Sequence, residues 1–409
     1  MPARPAKLPP AVTRYTYRHH LRAESFNNLF LGIFGLYEAV ARKALGASDL
    51  EIVILTTCSA AFSVLAFVWG SLMEGRSKWR FFVLSALLGR GLLLLTALTS
   101  GSGWFVILCC CVFFAEPIFI PAQQSLLQSN YDPAWRGRIF GRVVLWTRIF
   151  FILAALGAGY ALEYDPRLYR LLFPIAGVIG CLAYLQYALI RVRRASRDTT
   201  PERPPLLETV NTFSAILREN PEFDRFERNF FVYGIGFFLC LPANVFLLID
   251  HLRMAYSEIS LARLVLFQVT LALVSPLAGI SLDHWMAVRT ASMAFAVLTL
   301  YPLCLFFAYI SHSTLLVYLG FAICGVGMAG MNSAWNLGVL EFAREKDASV
   351  FMGVHVTAAG VRGLTVPVIG YALTALFNLG VVYLTASAFF FSAALLMSRL
   401  KQKPSGVPS

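Results

Sequence analysis

Long apolar runs parted by short polar turns dominate the chain. Each run holds about 20 residues or more, enough for a helix to cross a hydrocarbon core of about 30 Å. The runs fall at 25–46, 50–73, 79–99, 103–129, 137–162, 168–191, 228–250, 257–282, 289–311, 313–341, 350–377 and 380–399. Those at 103–129, 137–162, 313–341 and 350–377 exceed a perpendicular crossing, which tilt accommodates. Apolar positions are continuous rather than alternating, so the pattern predicts helices and not the alternating strands of a membrane β-barrel. The expected fold is an all-α polytopic membrane protein with twelve transmembrane helices.

Basic residues are distributed unevenly over the turns. Arg14, Arg18 and Arg22 precede the first span, and Arg76, Lys78 and Arg80 follow the second. Arg136, Arg138, Arg142, Arg344, Lys346, Lys401 and Lys403 fall on the same side, with more in the central polar stretch. The other turns carry Arg42, Lys43, Arg167, Arg170 and Arg253. The excess of Lys and Arg on cytoplasmic loops therefore places both termini in the cytoplasm. An even number of spans requires the same. The expected organisation is a cytoplasmic tail (1–24), a six-helix bundle (25–191), a cytoplasmic linker (192–227), a second six-helix bundle (228–399) and a cytoplasmic tail (400–409). The linker contains Pro201, Pro204 and Pro205, and its amphipathic end, Phe213 to Phe226, suits the membrane surface.

Composition agrees. Hydrophobic residues make up 58% of the 409 and charged residues 14%, where a soluble surface takes roughly 25%. Lipid must cover most of the outside. The net charge of +12 would suggest nucleic acid in a soluble protein, but its placement on the turns of one side explains it, and no nucleic-acid partner is expected. The eight cysteines all lie in apolar stretches. Neighbours such as Cys109, Cys110 and Cys111 point about 100° apart around a helix and cannot chelate together. They read as small hydrophobes, with no disulfide framework, metal or cofactor expected. The polar, basic opening, Met1 to Arg22, has no short apolar core with a cleavage site, so a removable signal peptide is not expected.

The two halves are related. Gly70 and Glu74 end the second span as Gly279 and Asp283 end the eighth, and Gly141 answers Gly353. Gly159-Tyr160-Ala161-Leu162 recurs as Gly370-Tyr371-Ala372-Leu373. All three matches are offset by roughly 210 positions. Duplicated halves with a site between them near the midplane characterise secondary transporters.

The stretch Gly70-Ser71-Leu72-Met73-Glu74-Gly75-Arg76-Ser77-Lys78-Trp79-Arg80 resembles the loop signature of the major facilitator superfamily, Gly-x-Leu-x-Asp-Arg-x-Gly followed by basic residues. Gly70, Leu72, the acidic Glu74, Lys78 and Arg80 match, while Gly75 and Ser77 depart from the pattern and Glu replaces Asp. The second copy keeps Gly279 and Asp283, with Ser281 in place of leucine. The segment from Asn130 to Gly141 is similar to bacterial members. The resemblance implies two pseudo-symmetric six-helix bundles, a monomer, and residence in a bacterial inner membrane. It also implies that Glu74 is a conformational gate and that Lys78 and Arg80 anchor the loop. An acidic residue there can sit at the positive N-terminus of a helix from the other half, near Ser349 for Glu74. Leu156-Gly157-Ala158-Gly159 lacks the proline of the fifth-helix motif in many drug/proton antiporters, which argues against multidrug efflux.

Ionisable residues at mid-span cost roughly 2.5–3.5 kcal/mol each and mark function by default. Glu38, Arg90, Glu116, Arg148 and Arg362 are such residues. The resemblance places helices 1, 4, 7 and 10 along a central cavity, 2, 5, 8 and 11 beside it and 3, 6, 9 and 12 outside. Arg90 is therefore expected to be structural, paired with Glu116 or Glu38. Arg148 and Arg362 suit an anionic group, since guanidinium binds carboxylate or phosphate in a bidentate fork; alternatively each pairs with a glutamate. Glu38 and Glu116 are the candidates for carrying a coupling proton. Asn28, Tyr37, Asn244, Asn332 and Asn336, with Gln123, Tyr233 and Trp335, can complete a pocket. His355 is a lone titratable group.

The expected function is secondary active transport of a small solute by alternating access, coupled to protons, with an organic anion as cargo. A drug or sugar permease of the same fold, or a non-transporting sensor or assembly factor, are the alternatives. No zinc-protease motif, nucleophile elbow or phosphate loop supports an enzyme.

Overall fold

In hydrocarbon every backbone N–H and C=O must be satisfied internally, which favours helices wherever the apolar runs lie. The computed structural model describes residues 11–73, 76–131, 133–190, 214–343 and 348–400, helical nearly throughout and without a strand among them. Helix α1 (Ala11–Phe34) begins well ahead of the first predicted span, breaks at Gly35–Leu36, and resumes as Tyr37–Ala39 and a π turn, Val40–Ala44. The chain then turns at Gly46, whose φ of +66° suits a residue without Cβ. Helix α2 (Asp49–Ser63) starts at a reciprocal cap in which Glu51 N–H donates to Ser48 Oγ and Ser48 N–H to the Glu51 carboxylate.

Next come α3 (Leu65–Leu72) and α4 (Trp79–Leu88), which continues past Gly89 as a 3-10 stretch, Arg90–Leu98. Helices α5 (Ser102–Asn130), α6 (Pro133–Tyr164) and α7 (Tyr169–Ala188) complete the first half. In α8 (Pro221–Val245), Pro242 supplies no N–H, and the ladder just beyond it widens to a π segment, Phe246–His251. Tyr256–Ile259 and a second π segment, Ser260–Leu266, lead into α9 (Phe267–Ser311). Helices α10 (Thr314–Ala343), α11 (Ala348–Leu376) and α12 (Leu379–Ser398) follow, α12 capped by Asn378.

Among the described residues, ten stretches are long and apolar enough to cross a membrane. The predicted spans 25–46 and 50–73 are helical but interrupted, at Gly35–Leu36 and at Val64, and the first also carries Glu38, Arg42 and Lys43. The eighth and ninth predicted spans appear as Tyr256–Ala278 and Ala287–Ser311, their apolar parts sharing the single helix α9.

The chain divides into two compact units, Met1–Tyr37 with Leu65–Pro201, and Glu38–Val64 with Glu202–Ser409. In the first, α1 packs along α6 and α7 over an aromatic core that includes Phe82, Phe119, Tyr184 and Tyr187. Leu145, Trp146, Leu153 and Tyr160 on α6 are exposed, the apolar outer surface that lipid would cover. The leading turns of α1 are held by Thr13, which donates to Asn130 O, and by Asn130, which donates to Thr16. His20 Nδ1 lies 2.9 Å from the Tyr131 hydroxyl; burial lowers the His20 pKa to about 4 and raises that of Tyr131. In the second unit, α9 packs on α10 and α12, and Phe230, Phe295, Tyr301, Tyr383 and Phe390 are core residues. The segment 38–64, expected in the first bundle, packs into this second unit, with α2 against α11.

Candidate functional site

Polar groups in each unit gather where the helices carry side chains at helical spacing. In the first unit, Glu24, Asn27 and Asn28 share one face of α1, as positions three and four apart do. Arg90 opens the 3-10 stretch after Gly89 and is 1% exposed. It donates to Glu116 Oε1 at 3.0 Å, to Asn27 Oδ1 at 2.7 Å and to Gly180 O at 3.4 Å. Its guanidinium lies 4.0 Å from the Phe30 ring centre and 3.8 Å from that of Tyr184, a doubly stacked cation. Tyr184 donates to the same Glu116 oxygen at 3.0 Å. Of the two acids offered for Arg90, Glu116 is the one within ion-pair distance, and Glu38 meets Arg263.

Glu24 was not singled out in the sequence, because it stands just ahead of the apolar run. It accepts from Tyr187 at 2.5 Å, from Gln123 at 2.9 Å and from Asn27 at 3.3 Å. Arg148, half-buried on α6, is attracted by Glu24. Neither Arg148 nor Arg362 has a carboxylate within ion-pair distance among the described residues. Asn28 is 5% exposed and donates to Glu24 O, while its Oδ1 has no partner. Tyr37 stacks on Phe34 and meets Phe113 edge-on.

In the second unit, Arg362 on α11 is 2% exposed and donates to Phe230 O at 2.6 Å. Gly234 of α8 makes room for it, since a Cβ there would clash with the guanidinium. Two helical turns before Gly234, Glu227 accepts from His355 Nδ1, with its two oxygens at 2.7 and 2.9 Å. Glu227, like Glu24, stands just ahead of a predicted span; an acidic residue leading the first helix of each half was the signal available. Asn244 donates to Tyr301 at 2.7 Å and accepts from Tyr383 at 3.4 Å, a bond between helices. Tyr233 stacks on Phe295, and Asn332 is exposed.

Glu38, 2% exposed, pairs with Arg263, both within the second unit. Nearby Arg42 bridges Asp250 at 2.7 Å and Asp49 at 2.9 Å. Of the loop signature, Leu72 is exposed, Lys78 donates to Met73 O, and Arg80 lies 5.7 Å from the Trp79 ring. Glu74 lies outside the described residues, as do the side-chain surroundings of Gly70, Gly279, Asp283 and Asn336. A cavity of about 140 Å³ in the second unit, lined by residues such as Val274, Leu277, Met293 and Val297, is largely apolar and holds none of the candidate residues. No group of residues suited to a metal ion occurs among the described residues.

A family model described as "Major Facilitator Superfamily" matches residues 25–364 and 229–409. No curated protein matches the chain. Among solved structures, the fold is similar to a bacterial homologue of the human lysosomal transporter Spinster (TM-score 0.68, 13% identity, 98% of this chain and 100% of that one). It is also similar to the nucleoside transporter NupG (0.67, 12%, 96% and 100%) and the human organic anion transporter MFSD10 (0.65, 12%, 95% and 100%). At these identities the likeness is one of fold.

Proposed function

The chain belongs to the major facilitator superfamily and is a membrane-embedded secondary transporter rather than an enzyme, and we propose that its cargo is a small organic anion moved together with protons. One observation carries this reading. Arg42, Arg90 and Arg263 each have a carboxylate partner, whereas Arg148 and Arg362 have none among the described residues. A guanidinium withdrawn from water without an ion-pair contact is costly, and a charge kept inside a membrane marks a functional site by default. A carboxylate or phosphate on the cargo would supply the missing partner through a bidentate fork.

In this reading Asn28 offers an unpartnered oxygen, and Tyr37, Asn244, Asn332 and Asn336 complete the recognition of the neutral part. Glu38 and Glu116 carry the coupling proton: protonation cancels the pair with Arg263 or Arg90 and frees a guanidinium. Glu74 and Asp283 gate the cytoplasmic side, with Gly70, Leu72, Gly279, Lys78 and Arg80 shaping and anchoring the loops. The protein works as a monomer in a bacterial inner membrane, with both termini in the cytoplasm.

The test is thermal stability of the purified chain in mild detergent against a panel of anions, neutral solutes and cations, because a ligand that binds the folded state raises it by mass action. Carboxylates or phosphates should stabilise, and Arg362→Ala should abolish the shift. Stabilisation by neutral or cationic compounds alone would put a sugar or drug permease in its place. Liposome uptake driven by a proton gradient that survives both Glu38→Gln and Glu116→Gln would remove those two as proton carriers.

A further inference from the structure

We propose that Glu227 and His355 form a proton-binding site inside the second unit. The proposal does not rest on the identity of the cargo. The two side chains come from different helices, α8 and α11, and are 5% and 0% exposed. Both oxygens of Glu227 lie within hydrogen-bond distance of His355 Nδ1. The other ring nitrogen, Nε2, is buried and has no hydrogen-bond partner. The ring is walled by Trp335 on α10, with centres 3.8 Å apart, and by Phe230 at 5.1 Å and Phe226 at 6.3 Å.

A structural helix staple would need only the Nδ1 bond. Here the second nitrogen is held idle, although buried polar atoms ordinarily find partners. The bond to Glu227 fixes the tautomer: Nδ1–H donates to the carboxylate, and the Nε2 lone pair stays open. A proton delivered to Nε2 by hydronium exchanges one O–H bond for one N–H bond and leaves water, converting carboxylate–imidazole into carboxylate–imidazolium. The titratable and charged groups around the ring are few. Glu227 on α8 would hold the imidazolium. Arg362, two turns along α11, is attracted by Glu227 and would oppose it, and Tyr233 on α8 lies near Arg362. With Arg362 counted, the cluster passes from neutral to a single positive charge, a change that any charged cargo nearby would sense.

Trp335 makes the event visible, because an imidazolium beside an indole quenches its fluorescence. The full chain in detergent is titrated between about pH 5 and 8, the range in which histidine ordinarily changes charge. Acidification should quench part of the tryptophan emission. That component should be lost in both Trp335→Phe and His355→Gln. Glu227→Gln should displace its midpoint, because the ring loses the carboxylate that holds Nδ1. No quench in this range, or a quench unchanged in His355→Gln, overturns the proposal. Should His355→Gln fail to fold, the other two variants decide: an unmoved midpoint in Glu227→Gln or a surviving quench in Trp335→Phe overturns it equally. Anion stabilisation without the titration would sink the proton site alone; the titration without anion stabilisation would sink the cargo reading alone.

Discussion

Arg90 and Arg362 are the same residue type set in nearly the same way, yet they end in opposite electrostatic states. Each is almost fully buried, at 1% and 2% exposed. Each lies against a glycine on a neighbouring helix, Gly180 on α7 for Arg90 and Gly234 on α8 for Arg362. Each has an unpartnered Nε. The difference is what the rest of the guanidinium meets. Arg90 has Glu116, Asn27 and two stacked rings, while Arg362 has one backbone carbonyl and rings at 5.7 and 5.8 Å. Its nearby acid, Glu227, is engaged by His355. One charge is a completed pair that fastens three helical segments; the other is held in place by packing, with no carboxylate in ion-pair contact among the described residues.

The largest effect expected from this contrast is on stability. Arg90→Met leaves Glu116 without its cation, and breaking a buried pair by removing one partner costs roughly 3–5 kcal/mol. Glu116 is partly exposed, with a side-chain exposure of 29%, which puts the expected loss near the lower end. Arg362→Met removes a charge with no carboxylate partner and should leave thermal stability unchanged or raise it. Melting of the two purified variants in the same detergent checks this. Equal losses would mean that Arg362 is structurally paired after all. In a double-mutant cycle, Arg90→Met with Glu116→Gln should recover part of the loss, since residues in one network do not add.

A finer distinction comes from the glycines. A Cβ on Gly180 would stand 2.5 Å from Arg90 Cδ and 2.9 Å from Phe30 Cδ2. Overpacking of this kind typically costs about 1–3 kcal/mol. Because Arg90 is tied at several points, Gly180→Ala should sit at the upper end of that range. Gly234→Ala pushes on a guanidinium with fewer ties, which can move, so it should cost less stability while weakening any stabilisation by anions. The reverse order of melting temperatures would contradict the idea that Arg362 has fewer ties than Arg90.

Much of this was legible in the chain. Span positions follow from apolar run length, and Arg90 with Glu116 stood out because each is a charge deep in a hydrophobic run. Glu24 and Glu227 did not, because each sits just ahead of its run, where a charge looks like ordinary interfacial solvation. Their partners, Tyr187 with Gln123 and His355, are 99 or more positions away, a distance no periodicity bridges. The interruption at Gly35–Leu36 and the packing of residues 38–64 into the second unit were also hidden. The packing of 38–64 includes the pairs of Arg42 with Asp250 and of Glu38 with Arg263, and a single sequence does not pair charges across helices.

The smallest effect separates two buried histidines. His355 faces a carboxylate, whereas His20 faces only the neutral hydroxyl of Tyr131 and the rings of Phe140 and Tyr187. Burial with no acid to offset it lowers the His20 pKa from 6.5 to about 4. Between those values the unfolded chain binds a proton that the folded chain does not, so stability falls as pH drops through this window and is fully present above about 6.5. From pH 7 to about 5.5 the loss assignable to His20 is about 1 kcal/mol. His20→Gln should therefore lower stability at neutral pH yet flatten its acid dependence by that amount, measured as melting temperature against pH in one detergent. If acid sensitivity is unchanged in His20→Gln, the tie between α1 and the end of α5 does not depend on a neutral imidazole, and the contrast with His355 rests on the carboxylate alone.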